Sequence, residues 1–194
     1  MHRSSRLVAL GIAFAITGVF AVAAHAYSIS SYKWNVKPVL IFVNPANHDV
    51  SATAAEAAVK VGMNAWNGKA NFQYWYGGRV SDTATSVDGR NVVIFRNSSN
   101  GSAVATTYTW LRNGARFDSD VVVWDGAFHL YTGTSGCSSG AYIEDIAAHE
   151  LGHVAGINHS SLTDATMYGV YRLCSTFMRT LSSDDIAAIR KRYP

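Results

Sequence analysis

The chain has 194 residues, of which 48% are hydrophobic and 15% charged, so it has enough apolar sequence for one folded domain and is not intrinsically disordered. The formal net charge is +3, and setting aside Arg3 and Arg6 leaves 14 basic against 13 acidic residues. This balance excludes a strongly basic binding surface, so we expect no nucleic acid among the partners of the chain.

The N-terminus has the pattern of a secretory signal peptide. Arg3 and Arg6 give a positive start, residues 7–22 are apolar, and Ala24 and Ala26 form a small-x-small cleavage site. The apolar run falls short of the roughly 20 residues that a spanning helix needs, so we expect no stable membrane insertion. We therefore predict a signal peptide over residues 1–26 and a mature domain over 27–194, secreted to the extracellular space or the periplasm.

The first predicted elements after the signal are a strand over residues 38–43 and a long helix over residues 52–67. Ser51 and Thr53 are both residue types that start helices, and Glu56 follows Thr53 at the spacing of a capping box. Small and hydrophobic residues then recur at helical spacing, at Ala55, Val59, Gly62, Met63 and Trp66.

Several short runs of β-branched and aromatic residues follow this helix. Turn residues separate the runs, and the Gly- and Ser-rich segment 133–140 predicts a loop after the last of them. The runs predict strands over residues 71–76, 91–96, 104–110 and 121–124.

Two more helices are predicted in the C-terminal part. One covers residues 141–155, and the other begins after Ser182, with Asp185 at capping-box spacing, and ends near Tyr193. The order of strand, helix, several strands and two helices predicts an α+β fold, close to α/β, in which a sheet carries helices.

Cys137 and Cys174 are the two cysteines of the chain. An even pair in an exported protein favours a disulfide bond, which would join the loop before the second helix to the loop after it. The alternative is two unpaired thiols, because sequence alone does not supply the geometry that a bond requires.

The segment 149–159 contains three histidines at spacings that suit one metal ion. His149 and His153 are four residues apart, so a helix places them on one face. Gly156 can leave the helix with a positive φ, which allows the chain to turn back and bring His159 to the same ion. Three imidazoles leave one tetrahedral position open for water, as in catalytic rather than structural zinc sites.

Glu150 is adjacent to the first of these histidines and is the candidate catalytic residue. A carboxylate beside a metal-bound water can accept its proton and pass it to a leaving amine. A short HExxH match can arise by chance, but the extended pattern with Gly156 and His159 makes chance roughly one in ten million per starting position. The remaining histidines of the mature chain, His48 and His129, are interpreted as surface or core residues.

The extended histidine motif, followed by Ser160, resembles that of the metzincin zinc peptidases. The following segment, which ends in Met167 and Tyr168, resembles the matrixin branch of that group. The resemblance implies a domain with an about five-stranded twisted mixed sheet and three helices. It also implies that Met167 forms the Met-turn below the histidines, although a lone methionine is otherwise interpreted as core filler.

Looser matches extend over most of the mature chain, at residues 32–34, 115–120 and 181–186. In matrixins the pair that corresponds to Asp184 and Asp185 braces the Met-turn and receives the new N-terminal ammonium; the simpler interpretation is acidic charge at a helix start. Thr106, Thr107 and Arg116 stand where the family has histidines for a second zinc, so we expect one zinc ion only.

Asp118 and Asp120 have two interpretations. Their carboxylates could hold Ca²⁺, which prefers oxygen ligands, or they could be solvated turn residues.

The resemblance also implies how a substrate binds. An extended peptide would lie along the strand at residues 102–108, and Tyr168, Val170 and Tyr171 would line the pocket for the residue after the cleaved bond. Tyrosines near a helix end are otherwise packing residues.

We therefore expect a monomeric, secreted zinc endopeptidase that acts on proteins or peptides. The alternatives are an exported metal-dependent binding protein without turnover and a hydrolase of cell-wall peptides.

Overall fold

The computed structural model describes residues 26–194, and its largest feature is a five-stranded mixed sheet in the order β2-β1-β3-β5-β4. The pairs β1–β2, β1–β3 and β3–β5 are parallel, and only β4 runs antiparallel to its neighbour β5. The strands of this sheet are β1 (Val39–Val43), β2 (Tyr74–Arg79), β3 (Asn91–Arg96), β4 (Ala105–Arg112) and β5 (Ala115–Trp124).

Three helices and a small second sheet complete the described part of the chain. Helix α1 spans Ala52–Trp66, α2 spans Ile143–Ala155 and α3 spans Ser183–Arg192. Strands β6 (His129–Tyr131) and β7 (Gly140–Tyr142) form a parallel pair just before α2. The predicted α+β fold with about five sheet strands and three helices is confirmed.

The central strands are buried on both faces, which explains why β3 is a continuous apolar run rather than an alternating one. One face, with Val93 and Val121, belongs to the main core together with α1 and α2. The other face, with Ile94 and Val122, forms a smaller apolar cluster with Trp124.

Close packing of α1 on α2 fixes the position of the second helix. A Cβ at Gly62 would lie 2.6 Å from the Ala147 Cβ, so only glycine allows the two helices to approach this closely. Trp66 at the end of α1 donates its indole N–H to the Ala148 carbonyl over 2.8 Å. These contacts hold α2 across the main core.

Several predicted boundaries are wrong, and the sheet ladder explains each of them. Strand β2 begins at Tyr74 instead of residue 71, because its pairing with β1 begins where Val39 meets Tyr74. Strand β5 begins at Ala115 rather than 121, since its polar first half pairs with β4. Residues 140–142 form β7, so helix α2 begins at Ile143 rather than at residue 141.

The predicted capping box at Thr53 and Glu56 is also wrong. The N-cap of α1 is Ser51, whose hydroxyl accepts from the Ala54 N–H over 3.2 Å, and Thr53 is already inside the helix. Glu56 instead binds Lys60 and Arg79. In α3, by contrast, Ser182 and Asp185 form both bonds of the predicted capping box.

The segment that follows α2 has little regular structure and is held by a covalent link. Cys137 and Cys174 form the predicted disulfide, with 5.4 Å between their Cα atoms. The Cys174 N–H also donates to the Gly140 carbonyl over 2.9 Å. The bond therefore ties this segment to the loop that precedes β7.

Within residues 26–194, no helix is long and apolar enough to cross a membrane. The predicted signal peptide lies outside the described residues, apart from Ala26.

Candidate metal centre

Helix α2 carries the first two candidate ligands and ends where the motif predicts. Gly156 is its C-cap, with a φ of 93° in the left-handed region, and its N–H donates back to the carbonyls of Gly152 and His153. A Cβ there would lie 3.1 Å from Arg116 Nε, in addition to the unfavourable φ. The turn at this glycine reverses the chain and returns His159 toward the helix.

The three predicted ligands are brought together. One ligand atom from each of His149, His153 and His159 lies within 4.8 Å of the others. The Nε2 atoms of His153 and His159 are 3.2 Å apart, a separation that two nitrogens sharing one ion can have. Among residues 26–194 this is the one group of three or more such side chains close enough to hold a metal.

Backbone carbonyls orient two of the three imidazoles. His149 Nδ1 lies 2.7 Å from the Thr166 carbonyl, and His153 Nδ1 lies 2.8 Å from the Ile157 carbonyl. A carbonyl can only accept, so both Nδ1 atoms carry the hydrogen and both Nε2 lone pairs are free to bind a metal. The donor set therefore fits a zinc ion.

Burial in the pocket favours the neutral forms of His153 and His159. Burial lowers the pKa of His153 to about 3, and the charge of His149 acts in the same direction. Burial also lowers the pKa of His159. Neutral imidazole is the form that binds zinc, so the fold favours the ligand state.

The predicted Met-turn lies under the helix that carries the ligands. Met167 is fully buried, and a Cβ at Gly152 would approach its sulfur to 2.2 Å. The backbone N–H groups of Thr166 and Met167 donate to the two carboxylate oxygens of Asp185, over 2.8 and 3.0 Å. Because the Thr166 carbonyl binds His149, Asp185 supports a ligand through one intervening residue.

Asp184 makes a separate connection. Its Oδ2 accepts from the Ser160 hydroxyl over 2.7 Å, and its Oδ1 accepts from the backbone N–H of Ala26 over 3.0 Å. The N-terminal end of the described chain is thus fastened beside the segment that follows His159.

Glu150 is buried beside the histidines and has one side-chain hydrogen-bond partner. The Thr107 hydroxyl donates to Glu150 Oε2 over 2.5 Å, and no residue of the described chain binds Oε1. Burial raises the pKa of Glu150, while the charge of His149 and the bond from Thr107 act in the opposite direction. Glu150 is therefore a constrained carboxyl group that lines the cleft, and Thr107 engages only one of its two oxygens.

A cleft of about 560 Å³ lies between β4 and α2 and contains the three histidines and Glu150. Of the three predicted pocket residues, Tyr168 and Tyr171 line this cleft, whereas Val170 is 59% exposed and is not among the lining residues. The Tyr171 hydroxyl also accepts from the Tyr142 N–H over 3.0 Å, so the packing interpretation holds for this side chain as well. Strand β4 forms the other wall with Ala105, Thr106, Thr107 and Thr109.

Asp118 and Asp120 are not solvated turn residues. Both lie in β5 and are buried, and their carboxylates accept backbone N–H groups from residues 86–92. Burial raises the pKa of Asp120 to about 6.

His48 and His129 are outside the cleft, and His129 pairs with Asp49 over 2.6 Å.

Sequence reasoning missed four residues that line or shape the cleft. Thr107 and Arg116 were considered only as missing histidines, and Ile146 and Met178 were not considered. Ile146 lies one turn before His149 in α2, so the helical period could have identified it. No local pattern marks the other three, because tertiary packing brings them to the cleft.

Known proteins match this chain over most of its length. The family model described as Matrixin matches residues 33–194. A hatching enzyme of Paracentrotus lividus is 28% identical over 173 residues, covering 84% of this chain and 27% of that protein. Human matrilysin is 28% identical over 181 residues, covering 91% of this chain and 64% of its own length.

A shorter match is closer in sequence. Rat matrilysin is 42% identical over 60 residues, which cover 31% of this chain and 22% of that protein. The chain spans less than two thirds of the length of each of these relatives. The match of the family model to residues 33–194, together with the histidine cluster, shows that this chain belongs to the matrixin family.

Proposed function

We propose that this chain is a secreted, monomeric zinc endopeptidase that hydrolyses internal peptide bonds of extended protein substrates. The observation that carries the proposal is the convergence of three histidines, two of them oriented by backbone carbonyls, beside a buried glutamate in an open cleft. Membership of the matrixin family supports the same chemistry.

His149, His153 and His159 would hold the zinc ion through their Nε2 atoms. Zinc bound there supplies Lewis acidity, which lowers the pKa of a bound water and polarises a substrate carbonyl. Glu150 Oε1 is the proton acceptor for the water, and it then delivers that proton to the leaving amine nitrogen.

Strand β4 would bind the substrate main chain. It is an edge strand of the sheet, so one side of its backbone is free to pair with an extended peptide. Tyr171, Met178 and Ile146 line the cleft, and we place the side chain that follows the cleaved bond beside them. Main-chain pairing would bind peptides of many sequences, and this pocket would select the side chain that follows the cleaved bond.

The variant Glu150→Gln tests the proposal. It keeps the size of the side chain and removes the base, so we expect one zinc per chain and at least a hundredfold loss of casein hydrolysis. Zinc content and hydrolysis are measured on the same preparation, with chelator-treated wild type as a second inactive control. Equal hydrolysis by variant and wild type would reject Glu150 as the base.

Assays of wild type on casein and on cell-wall peptides also separate the proposed endopeptidase from the two alternative functions. Wild type that binds zinc but cleaves neither casein nor cell-wall peptides would be a metal-dependent binding protein. Wild type that cleaves only cell-wall peptides would be the alternative hydrolase.

A further inference from the structure

Arg116 is a charged residue of the cleft that the mechanism does not use. Its Nε donates to the Tyr32 carbonyl over 3.2 Å, and its Nη1 donates to Thr109 Oγ1 over 3.0 Å and to the Val154 carbonyl over 3.4 Å. All three acceptors are neutral. Nη2 has no hydrogen bond to any residue between 26 and 194, and the side chain lines the cleft.

Residues 26–194 supply no carboxylate partner for this guanidinium. No carboxylate of the described residues forms a salt bridge with Arg116, and residues 1–25 contain neither Asp nor Glu. Burial lowers the pKa of Arg116, and the nearby Arg192 acts in the same direction. A partly desolvated cation without an anion is costly, so a ligand that brings an anion gains affinity.

The position of Arg116 along α2 shows which part of a substrate it faces. Ile146 is the first residue of α2 that lines the cleft, and we place the pocket for the residue after the cleaved bond beside it; Val154, which binds Arg116, is near the other end of the helix. Strand β4 follows the same direction, because Thr107 reaches Glu150 and Thr109 reaches Arg116.

These positions correspond to a short distance along a bound peptide. From the midpoint of His149 and His153 to Val154 the helix rises about 5 Å, which is between one and two residues of an extended strand. Along β4, the contact of Thr109 with Arg116 lies two residues beyond the contact of Thr107 with Glu150, which is the spacing of two residues in a peptide paired with that strand. Arg116 therefore faces the substrate residues two or three positions before the cleaved bond.

We propose that Arg116 forms a recognition site for an acidic side chain, Asp or Glu, two or three residues before the cleaved bond. This inference rests on the proposed endopeptidase function. Its partner is a peptide carboxylate, which Nη2 can bind while Nε and Nη1 keep their present acceptors.

Arg116 also has a structural role that the test must separate from recognition. Its bond to the Val154 carbonyl lies in the last turn of α2, where the helix dipole stabilises a positive charge. Loss of that role would change the cleavage of all peptides by a similar factor. Loss of recognition would change only the ratio between acidic and neutral peptides.

The experiment compares two peptides with blocked termini that differ only by Glu or Gln at these positions. We expect wild type to have a roughly five- to tenfold higher kcat/KM on the Glu peptide, and the preference to decrease as NaCl is raised. Arg116→Gln should reduce the ratio to about one, and Arg116→Lys should keep part of it. Arg90→Gln, a change at an exposed arginine outside the cleft, is the matched control and should keep the whole ratio.

Each outcome has a distinct meaning. Equal kcat/KM values for the two peptides in wild type, or an undiminished ratio in Arg116→Gln, would overturn the recognition site and leave the endopeptidase function intact. Cleavage of neither peptide by wild type would contradict the proposed function itself. If Arg116→Gln fails to fold, the salt dependence of the wild-type ratio and the Arg116→Lys ratio decide the question.

Discussion

Thr107 controls the orientation of Glu150, although 43 positions separate the two residues in the chain. Strand β4 places the threonine across the cleft from α2, and its hydroxyl occupies one carboxylate oxygen. The remaining oxygen, Oε1, then has a fixed direction. In its proposed role as general base, a carboxylate held in this way loses less entropy when the reaction begins.

Replacement of Thr107 by valine should therefore lower kcat. Valine has nearly the same shape but no hydroxyl, so Glu150 Oε2 loses the side-chain donor that fixes it. We expect about a tenfold fall in kcat with KM changed less than twofold, measured with zinc-saturated enzyme and one peptide substrate. Thr107→Ser keeps the hydroxyl and should recover most of kcat. Equal kcat values for the valine and serine variants would show that Thr107 acts only through packing.

Residues of the site that follow from local geometry could be predicted from the sequence. The spacing of His149, His153 and Gly156 determines a helix face and a turn, and no tertiary information is needed for either. Thr107 and Arg116 could not be predicted in their present roles. Their contacts depend on the packing of β4 and β5 against α2, which leaves no periodic signal in the sequence.

At the scale of elements, tertiary contacts also explain why the start of α1 and the strand boundaries differ from their predictions. The Thr53–Glu56 spacing fits a capping box, but Ser51 takes the N-cap and Glu56 bridges α1 to Arg79 in β2. Phe72 has the apolar character of a strand residue and is buried, yet it lies before the first paired residue of β2. Burial could be predicted in these regions, but ladder register could not, because register depends on the neighbouring strand.

The Glu56 bridge leads to a prediction about pH. Hydrogen bonds from Lys60 and then Arg79 lower the pKa of Glu56 from 4.5 to about 2. A lowered carboxyl pKa stabilises the fold above the unfolded value of 4.5, and this contribution is lost as pH falls toward 2. Wild type should therefore have a higher free energy of unfolding than Glu56→Gln at pH 7. We expect a difference of only about 1 kcal/mol, because the partly exposed side chains are screened by solvent.

Urea unfolding of both proteins between pH 7 and pH 2.5 measures this difference, and other titrating groups cancel in the subtraction. The gap should narrow below pH 4.5 as Glu56 takes up its proton. Arg79→Gln removes one partner and should show a smaller change over the same pH range. A gap that stays constant down to pH 2.5 would mean that the ion pairs add nothing to stability.

At the scale of the whole molecule, the candidate site joins elements that are distant in the sequence. Two candidate ligands come from α2 and the third follows Gly156. The predicted Met-turn donates to Asp185 in α3, and Thr107 comes from β4. The predicted α+β class and helix count are correct, whereas the strand order and the β6–β7 pair did not follow from periodicity. Because unfolding separates these elements, metal binding and global stability must be linked.

Zinc should therefore raise the melting temperature of the whole domain. At a free zinc concentration about a hundredfold above its Kd, binding adds roughly 2.7 kcal/mol to the free energy of unfolding. For a domain of this size that corresponds to a rise of roughly 5–10 °C between chelator-treated and zinc-loaded protein, measured by calorimetry. Glu150→Gln should keep this rise and His159→Ala should lose most of it, since of these two residues we propose only His159 as a zinc ligand. An equal rise in His159→Ala would place the stabilising zinc somewhere other than the three histidines.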